Sequence, residues 1–141
     1  MFIVPSKMLD LRALPMVHIC VPEQISTQLL DEFETEFVKM LQRAIDEHCR
    51  VVMCIDPSRC TNAGMSHVTT VSRIMSRNRS LVERAIRCSF LLVQTKLWRG
   101  LFGALFAIVP PTRPLRMFKD MPELTHAVLG HTLGITSRLR R

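Results

Sequence analysis

The sequence predicts an α/β fold: one domain with a four- or five-stranded, mostly parallel sheet flanked by about four helices. Three observations carry this expectation. Val51-Val52-Met53-Cys54-Ile55 and Cys88-Ser89-Phe90-Leu91-Leu92-Val93 are continuous rather than alternating apolar runs, the pattern of strands buried on both faces. Between such runs lie stretches whose apolar residues recur with a 3.6-residue period, and strands alternating with helices build parallel βαβ units. The length of 141 residues fits a single core, and no repeat or interdomain linker interrupts it.

Taken in order, residues 1–15 form an N-terminal edge segment in which Phe2-Ile3-Val4 is an edge-strand candidate punctuated by Pro5 and Pro15. Met16-Val17-His18-Ile19-Cys20-Val21 is a better strand, stopped at Pro22, with His18 as its exposed or hydrogen-bonded exception. Ser26 suits a helix N-cap, and Leu29, Leu30, Phe33, Phe37, Met40, Leu41, Ala44 and Ile45 hold the helical period to about His48. Asp31, Glu32, Glu34 and Glu36 crowd the first half of that helix and Lys39 and Arg43 follow. This order suits the helix dipole and places the acids on a solvated face rather than in a metal site.

Arg50–Val71 is the organising stretch. The strand Val51–Ile55 is closed by Asp56-Pro57-Ser58, and a polar turn leads into a helix patterned by Met65, Val68, Val71, Ile74 and Met75. Leu81–Ile86 continues as a short helix before the second core strand. Thr95 starts an apolar helix through about Ile108, ended by Pro110-Pro111. Leu115-Arg116-Met117-Phe118 is a last short strand, and Asp120 caps a final helix with Pro122 in its first turn. Residues 134–141 make a basic tail.

Composition narrows the partners without choosing one. The net charge of +7 favours anionic surfaces. Arg73, Arg77 and Arg79, followed by Arg84 and Arg87, are candidate anion contacts. No aromatic platform alternates with them, so nucleic acid is the weaker reading. The five cysteines have no C-x-x-C pair, which points to a reducing, cytoplasmic setting. The start has no charged region followed by a long apolar stretch, so no secretion signal is expected. No apolar run reaches the roughly 18 residues needed to cross a bilayer, so the expectation is a soluble protein or one peripheral to a membrane.

Catalytic signatures are missing: the sequence contains no Gly-rich phosphate loop, H-E-x-x-H or G-x-S-x-G, and no Cys/His set with zinc spacing. No metal or cofactor is therefore expected, and the chain reads as a non-enzyme. Ligands collect at the carboxyl ends of strands in open α/β sheets, which directs attention to Asp56–Gly64. Asp56 could serve as a catalytic carboxylate, but Asp-Pro-Ser equally opens a turn. Ser58, Thr61 and Ser66 lie near the start of the following helix, where a phosphate would meet free N–H groups or the hydroxyls would cap the turn.

The order of elements over residues 16–133 resembles the STAS domain superfamily, nearest its STAS/SEC14-like (SpoIIAA-like) branch. The apolar helix Leu97–Ile108, the turn Pro110-Pro111, the strand Pro114-Leu115-Arg116-Met117-Phe118 and the final helix Asp120–Leu133 carry the resemblance. It implies a non-catalytic protein-interaction or regulatory module, with a protein partner, a homo-oligomer or a membrane-associated assembly. The alternative it implies is a SEC14-like carrier of a lipid or small apolar ligand. The anti-sigma antagonists of the superfamily carry an Asp-Ser-Ser-Gly turn whose second Ser becomes phosphorylated, and the matching position here is Ala63 in Thr61-Asn62-Ala63-Gly64.

Lys96–Val109 separates the two readings. On a helical projection Leu97, Trp98, Leu101, Phe102, Leu105, Phe106, Ile108 and Val109 cover one half and Arg99, Gly100, Gly103, Ala104 and Ala107 the other. Either the bulky half is a contact surface for a partner or a lipid surface, or it fills the core with the small residues outside. An internal apolar cavity would favour the carrier.

Overall fold

A computed structural model describes residues 9–10 and 16–140, with side chains described for 16–130; the expected edge strand Phe2–Val4 lies outside the described residues. The fold is α/β. Five strands follow one another across the sheet in chain order: β1 (Leu9–Asp10), β2 (Met16–Cys20), β3 (Val51–Asp56), β4 (Ile86–Leu92) and β5 (Leu115–Phe118). Strands β2 to β5 are parallel, and the two-residue β1 pairs antiparallel with β2, Leu9 facing Ile19. The five helices are α1 (Thr27–Asp46), α2 (Met65–Arg77), α3 (Arg79–Ala85), α4 (Lys96–Ile108) and α5 (Met121–Arg140).

Strand pleating divides the apolar residues between two faces. Val17, Ile19, Val51 and Met53 point to the face covered by α1, α2 and α3, where they meet Leu30, Phe37, Leu41 and Ile74. Leu91 of β4 and Val93 just after it lie on the same face and meet Phe102 of α4. Val52, Cys54, Phe90, Leu92 and Phe118 point the other way, against Leu124 of α5. The central strands β3 and β4 are thus buried on both faces, which is why their sequences do not alternate.

Local chemistry sets the helix ends. The Ser26 Oγ accepts from the Leu29 N–H at 3.0 Å, and the Thr95 Oγ accepts from the Trp98 N–H at 3.2 Å. The Asp120 carboxylate accepts from the Glu123 N–H at 2.9 Å, while Glu123 reaches back to the Lys119 N–H at 3.3 Å. Each pattern satisfies donors that a helix start leaves without partners. At its other end α1 closes in a Schellman motif: the His48 N–H donates to the Ile45 carbonyl and the Cys49 N–H to the Ala44 carbonyl. His48 takes the left-handed position at φ 53°.

The structure refines three boundaries. The helical stretch after β3 is broken at Asn78, whose backbone leaves the helix (φ −110°, ψ 18°), so a separate α3 precedes β4 and the helices among the described residues number five. Strand β4 begins at Ile86, ahead of the apolar run at Cys88. The last helix runs on to Arg140, through the residues expected as a tail. No described helix is long and apolar enough to cross a membrane.

Candidate functional site

An apolar cleft of about 210 Å³ lies within the helical layer, between α1 on one side and α4 on the other. Ile19, Met53, Ile55 and Leu91 form its floor on the sheet, and Val68, Val71 and Met75 come from α2. Its two aromatic walls follow from sequence spacing: residues four apart on a helix lie one above the other. Phe33 and Phe37 stack on α1 with ring centroids 5.3 Å apart. Trp98, Phe102 and Phe106 form a ladder down α4 with centroid separations of 5.7 and 6.1 Å.

The bulky α4 residues are therefore distributed unevenly. Leu101 and Phe102 are buried, Trp98, Leu105 and Phe106 are half-buried along the cleft, and Leu97 is 59% exposed. The small residues Gly100, Gly103 and Ala107 are exposed, as in the core-filling alternative for this helix.

Polar groups are sparse in the lining. His67 stands near the carboxyl end of β3, where its Nδ1 accepts from the Gly64 N–H at 3.2 Å. Ser89 lies on the floor, and Arg79 and Arg113 line the region where α3 turns into β4. The Arg113 guanidinium is half-buried and donates to the Ile86 carbonyl (Nε, 3.1 Å) and the Arg87 carbonyl (Nη2, 3.5 Å). No carboxylate lines the cleft among the described residues.

The turn after β3 is built as an internal brace. The Asp56 carboxylate accepts from the Ser58 N–H at 2.9 Å, closing an Asx-turn. The Thr61 hydroxyl donates to the Glu23 carbonyl at 3.1 Å and accepts from Gln24 Nε2 at 3.0 Å. Asn62 grips the backbone of Ile25 at both groups, accepting from its N–H at 2.8 Å and donating to its carbonyl at 2.9 Å. Ile25 in turn lines the cleft, so the turn fixes the cleft's edge. Ser58 and Ser66 are exposed, Ser66 in the first turn of α2. Asn62 was not singled out from the sequence. Its only signal is a polar side chain between two apolar elements, which does not name the loop it will grip.

Two of the three candidate anion contacts have acidic partners. Arg77 forms a two-pronged pair with Glu34 of α1 (Nη2–Oε1 2.6 Å, Nε–Oε2 3.1 Å). Asn78 Nδ2 adds a bond to the same carboxylate at 2.9 Å. Arg77 and Asn78 hold the Glu34 pKa below its ordinary value, Arg77 contributing most. Arg79 lies 3.6 Å from Glu83, and Arg73 is exposed. Glu34 thus occupies the Nε–Nη2 edge of the Arg77 guanidinium, whose side chain is 56% exposed.

On the opposite sheet face, burial, with a smaller contribution from Cys88, pushes the Cys54 thiol up to about 12. Burial also raises Cys88. Both are protonated thiols at neutral pH, which disfavours nucleophilic use. Among the described residues no cluster of three or more His, Cys, Asp or Glu could hold a metal ion. No family model matches this chain, and neither a curated protein nor a solved structure matches it.

Proposed function

We propose that this protein is a non-catalytic binder or carrier of a small apolar ligand, held in the cleft between α1 and α4. The observation that carries the reading is the cleft itself: about 210 Å³ with an almost wholly apolar, partly aromatic lining. An apolar cavity of roughly 150 Å³ already stays dry and takes up benzene. Water gains little in such a space, whereas each methylene moved into it gains about 0.8 kcal/mol. The SEC14-like resemblance over residues 16–133 points the same way.

Trp98 is the chain's single tryptophan and stands on the cleft wall, so its fluorescence reports occupancy directly. Titration with decan-1-ol, a neutral probe, is expected to shift Trp98 emission and raise Tm. Val71→Phe puts a ring into the cleft; it should abolish the response while leaving Tm within a few degrees. An unresponsive wild-type protein, or a Val71→Phe variant that binds as before, would sink the reading.

A second reading, the protein-interaction module, is supported by Leu97 and Ile108, which are 59% and 54% exposed at the two ends of α4. Sedimentation of wild type against a Leu97→Ser/Ile108→Ser variant tests it. A self-association lost in the variant supports a contact surface, and a monomer in both removes the homo-oligomer.

A further inference from the structure

We infer that the ligand is an alkyl carboxylate, a medium-chain fatty acid, whose chain lies between the aromatic walls and whose carboxylate pairs with Arg113. This rests on the apolar-ligand reading and adds the chemistry of the ligand's polar end.

Charge asymmetry in the lining is the first support. The ionisable side chains along the cleft are His67, Arg79 and Arg113, all basic, and no Asp or Glu lines it among the described residues. A neutral hydrocarbon would gain nothing from that arrangement, and a cationic amphiphile would be repelled by it. An anionic end group is the complement.

The state of Arg113 is the second support. A guanidinium has five N–H donors and stays charged at any physiological pH. Arg113 uses two of its donor groups on the carbonyls of Ile86 and Arg87, which fix its position at the start of β4. Carbonyl oxygens satisfy hydrogen bonds without cancelling the charge. No carboxylate of the described residues pairs with Arg113, in contrast to Arg77 on Glu34 and Arg79 near Glu83. A half-buried, anchored, uncancelled guanidinium at the border of an apolar space is suited to the planar two-oxygen face of a carboxylate.

Volume sets the chain length. By proportion to a benzene-binding cavity of roughly 150 Å³, the space of about 210 Å³ holds about eight carbons, and longer chains extend through the open side.

The test compares three probes of equal chain length on the purified chain by Trp98 fluorescence: decanoate, decan-1-ol and decylammonium. Decanoate is expected to bind about tenfold or more tighter than the alcohol, the ordinary gain of a charge-assisted bond. Decylammonium should bind weakest. Arg113→Gln should bring decanoate to within about threefold of the alcohol. Should Arg113→Gln fail to fold, wild type at rising salt concentration carries the test: the decanoate preference over the alcohol should narrow as the attraction is screened, and a preference unchanged by salt overturns the pairing. Equal binding of decanoate and decanol by wild type, or preference for the amine, overturns the carboxylate inference while leaving the apolar-ligand reading intact. Failure of all three probes to bind overturns both.

Discussion

Helices α1 and α4 lie on the same face of the sheet, and each presents a bulky apolar stripe with a stacked aromatic pair. Helix α1 buries seven residues, from Leu29 to Ala44, whereas α4 buries only Leu101 and Phe102. Outer faces differ in kind. Exposed Asp31, Glu32, Lys39 and Arg43 keep the back of α1 in water, while α4 shows Gly100, Gly103 and Ala107. The ties differ as well. Glu34 of α1 is clamped by Arg77 and Asn78 across the α1–α2 boundary. Among the described residues no side-chain hydrogen bond or ion pair joins α4 to another helix. A stripe of large residues thus makes a core only where neighbouring elements close over it. Where they stand apart, the same stripe becomes the wall of a cleft.

Truncation on each side is the strongest way to break this contrast. Phe37 is 1% exposed beneath α1, and Phe37→Ala should cost about 3–5 kcal/mol, enough to leave the variant largely unfolded in a thermal melt. Phe106 is only half-buried on the cleft wall, and Phe106→Ala should cost about 1–2 kcal/mol, because part of its ring already faces empty space. Phe106→Ala should also widen the cleft and improve binding of a bulkier apolar probe. Equal destabilisation by the two changes would mean that α4 is as tightly packed as α1.

A smaller effect is expected at the brace between the two loops at the carboxyl end of the sheet. Asn62→Ala removes both bonds to the Ile25 backbone, whose groups can then be rehydrated, so the loss should be about 1–2 kcal/mol. Hydrogen exchange should quicken at Ile25 and in the first turn of α1, and stay unchanged in β4. Quickening across the whole sheet would show that the brace holds more than the cleft's edge.

The sequence carried the α/β class, the two doubly buried strands and the α1 stripe, because each is written in local periodicity. Ser26, Thr95 and Asp120 were legible as caps for the same reason: a helix start is satisfied by residues three positions away. The cleft was legible only as an alternative. Whether Trp98, Leu105 and Phe106 face a partner, a filled core or a void depends on the distance between α1 and α4, which no residue within α4 encodes. The pairing of Arg77 with Glu34, 43 positions away, was hidden too. Asn78 supplied the only local hint, as a polar residue in the helical pattern where the chain breaks and turns back toward α1.

The clamp on α1 has a pH signature that α4 lacks. Arg77 holds the Glu34 pKa below the ordinary 4.5. A carboxylate with a depressed folded pKa stabilises the fold above its unfolded value and loses that contribution as pH falls through the folded value. Wild type should therefore lose Tm on acidification below about pH 4.5 more steeply than Glu34→Gln, and the two should converge at the acid end. The difference at neutral pH should be no more than a few degrees, because the Arg77 side chain is largely exposed and the pair is screened from that side. A Glu34→Gln melt with the wild-type acid slope would show that Arg77 and Asn78 do not stabilise the ionised form.

The smallest expected effect lies at the end of α1. His48 occupies the left-handed position of the Schellman motif at φ 53°, which costs a residue with a Cβ about 1–2 kcal/mol. Glycine removes that strain but adds freedom to the unfolded chain, so part of the gain is offset. The net expectation for His48→Gly is a stabilisation of about 0.5–1 kcal/mol, read as a rise in Tm of a few degrees. His48 is exposed, so no packing is lost with its ring. The gain should be local as well as small. Helix α4 ends differently, at Val109 in extended backbone (φ −128°), and has no left-handed residue to relieve. If the helices open independently, His48→Gly should slow hydrogen exchange in the last turn of α1 and leave the last turn of α4 as it was. Matching protection in both would show that α1 and α4 open as one unit, and the cleft between them could then widen only when the whole helical layer loosens.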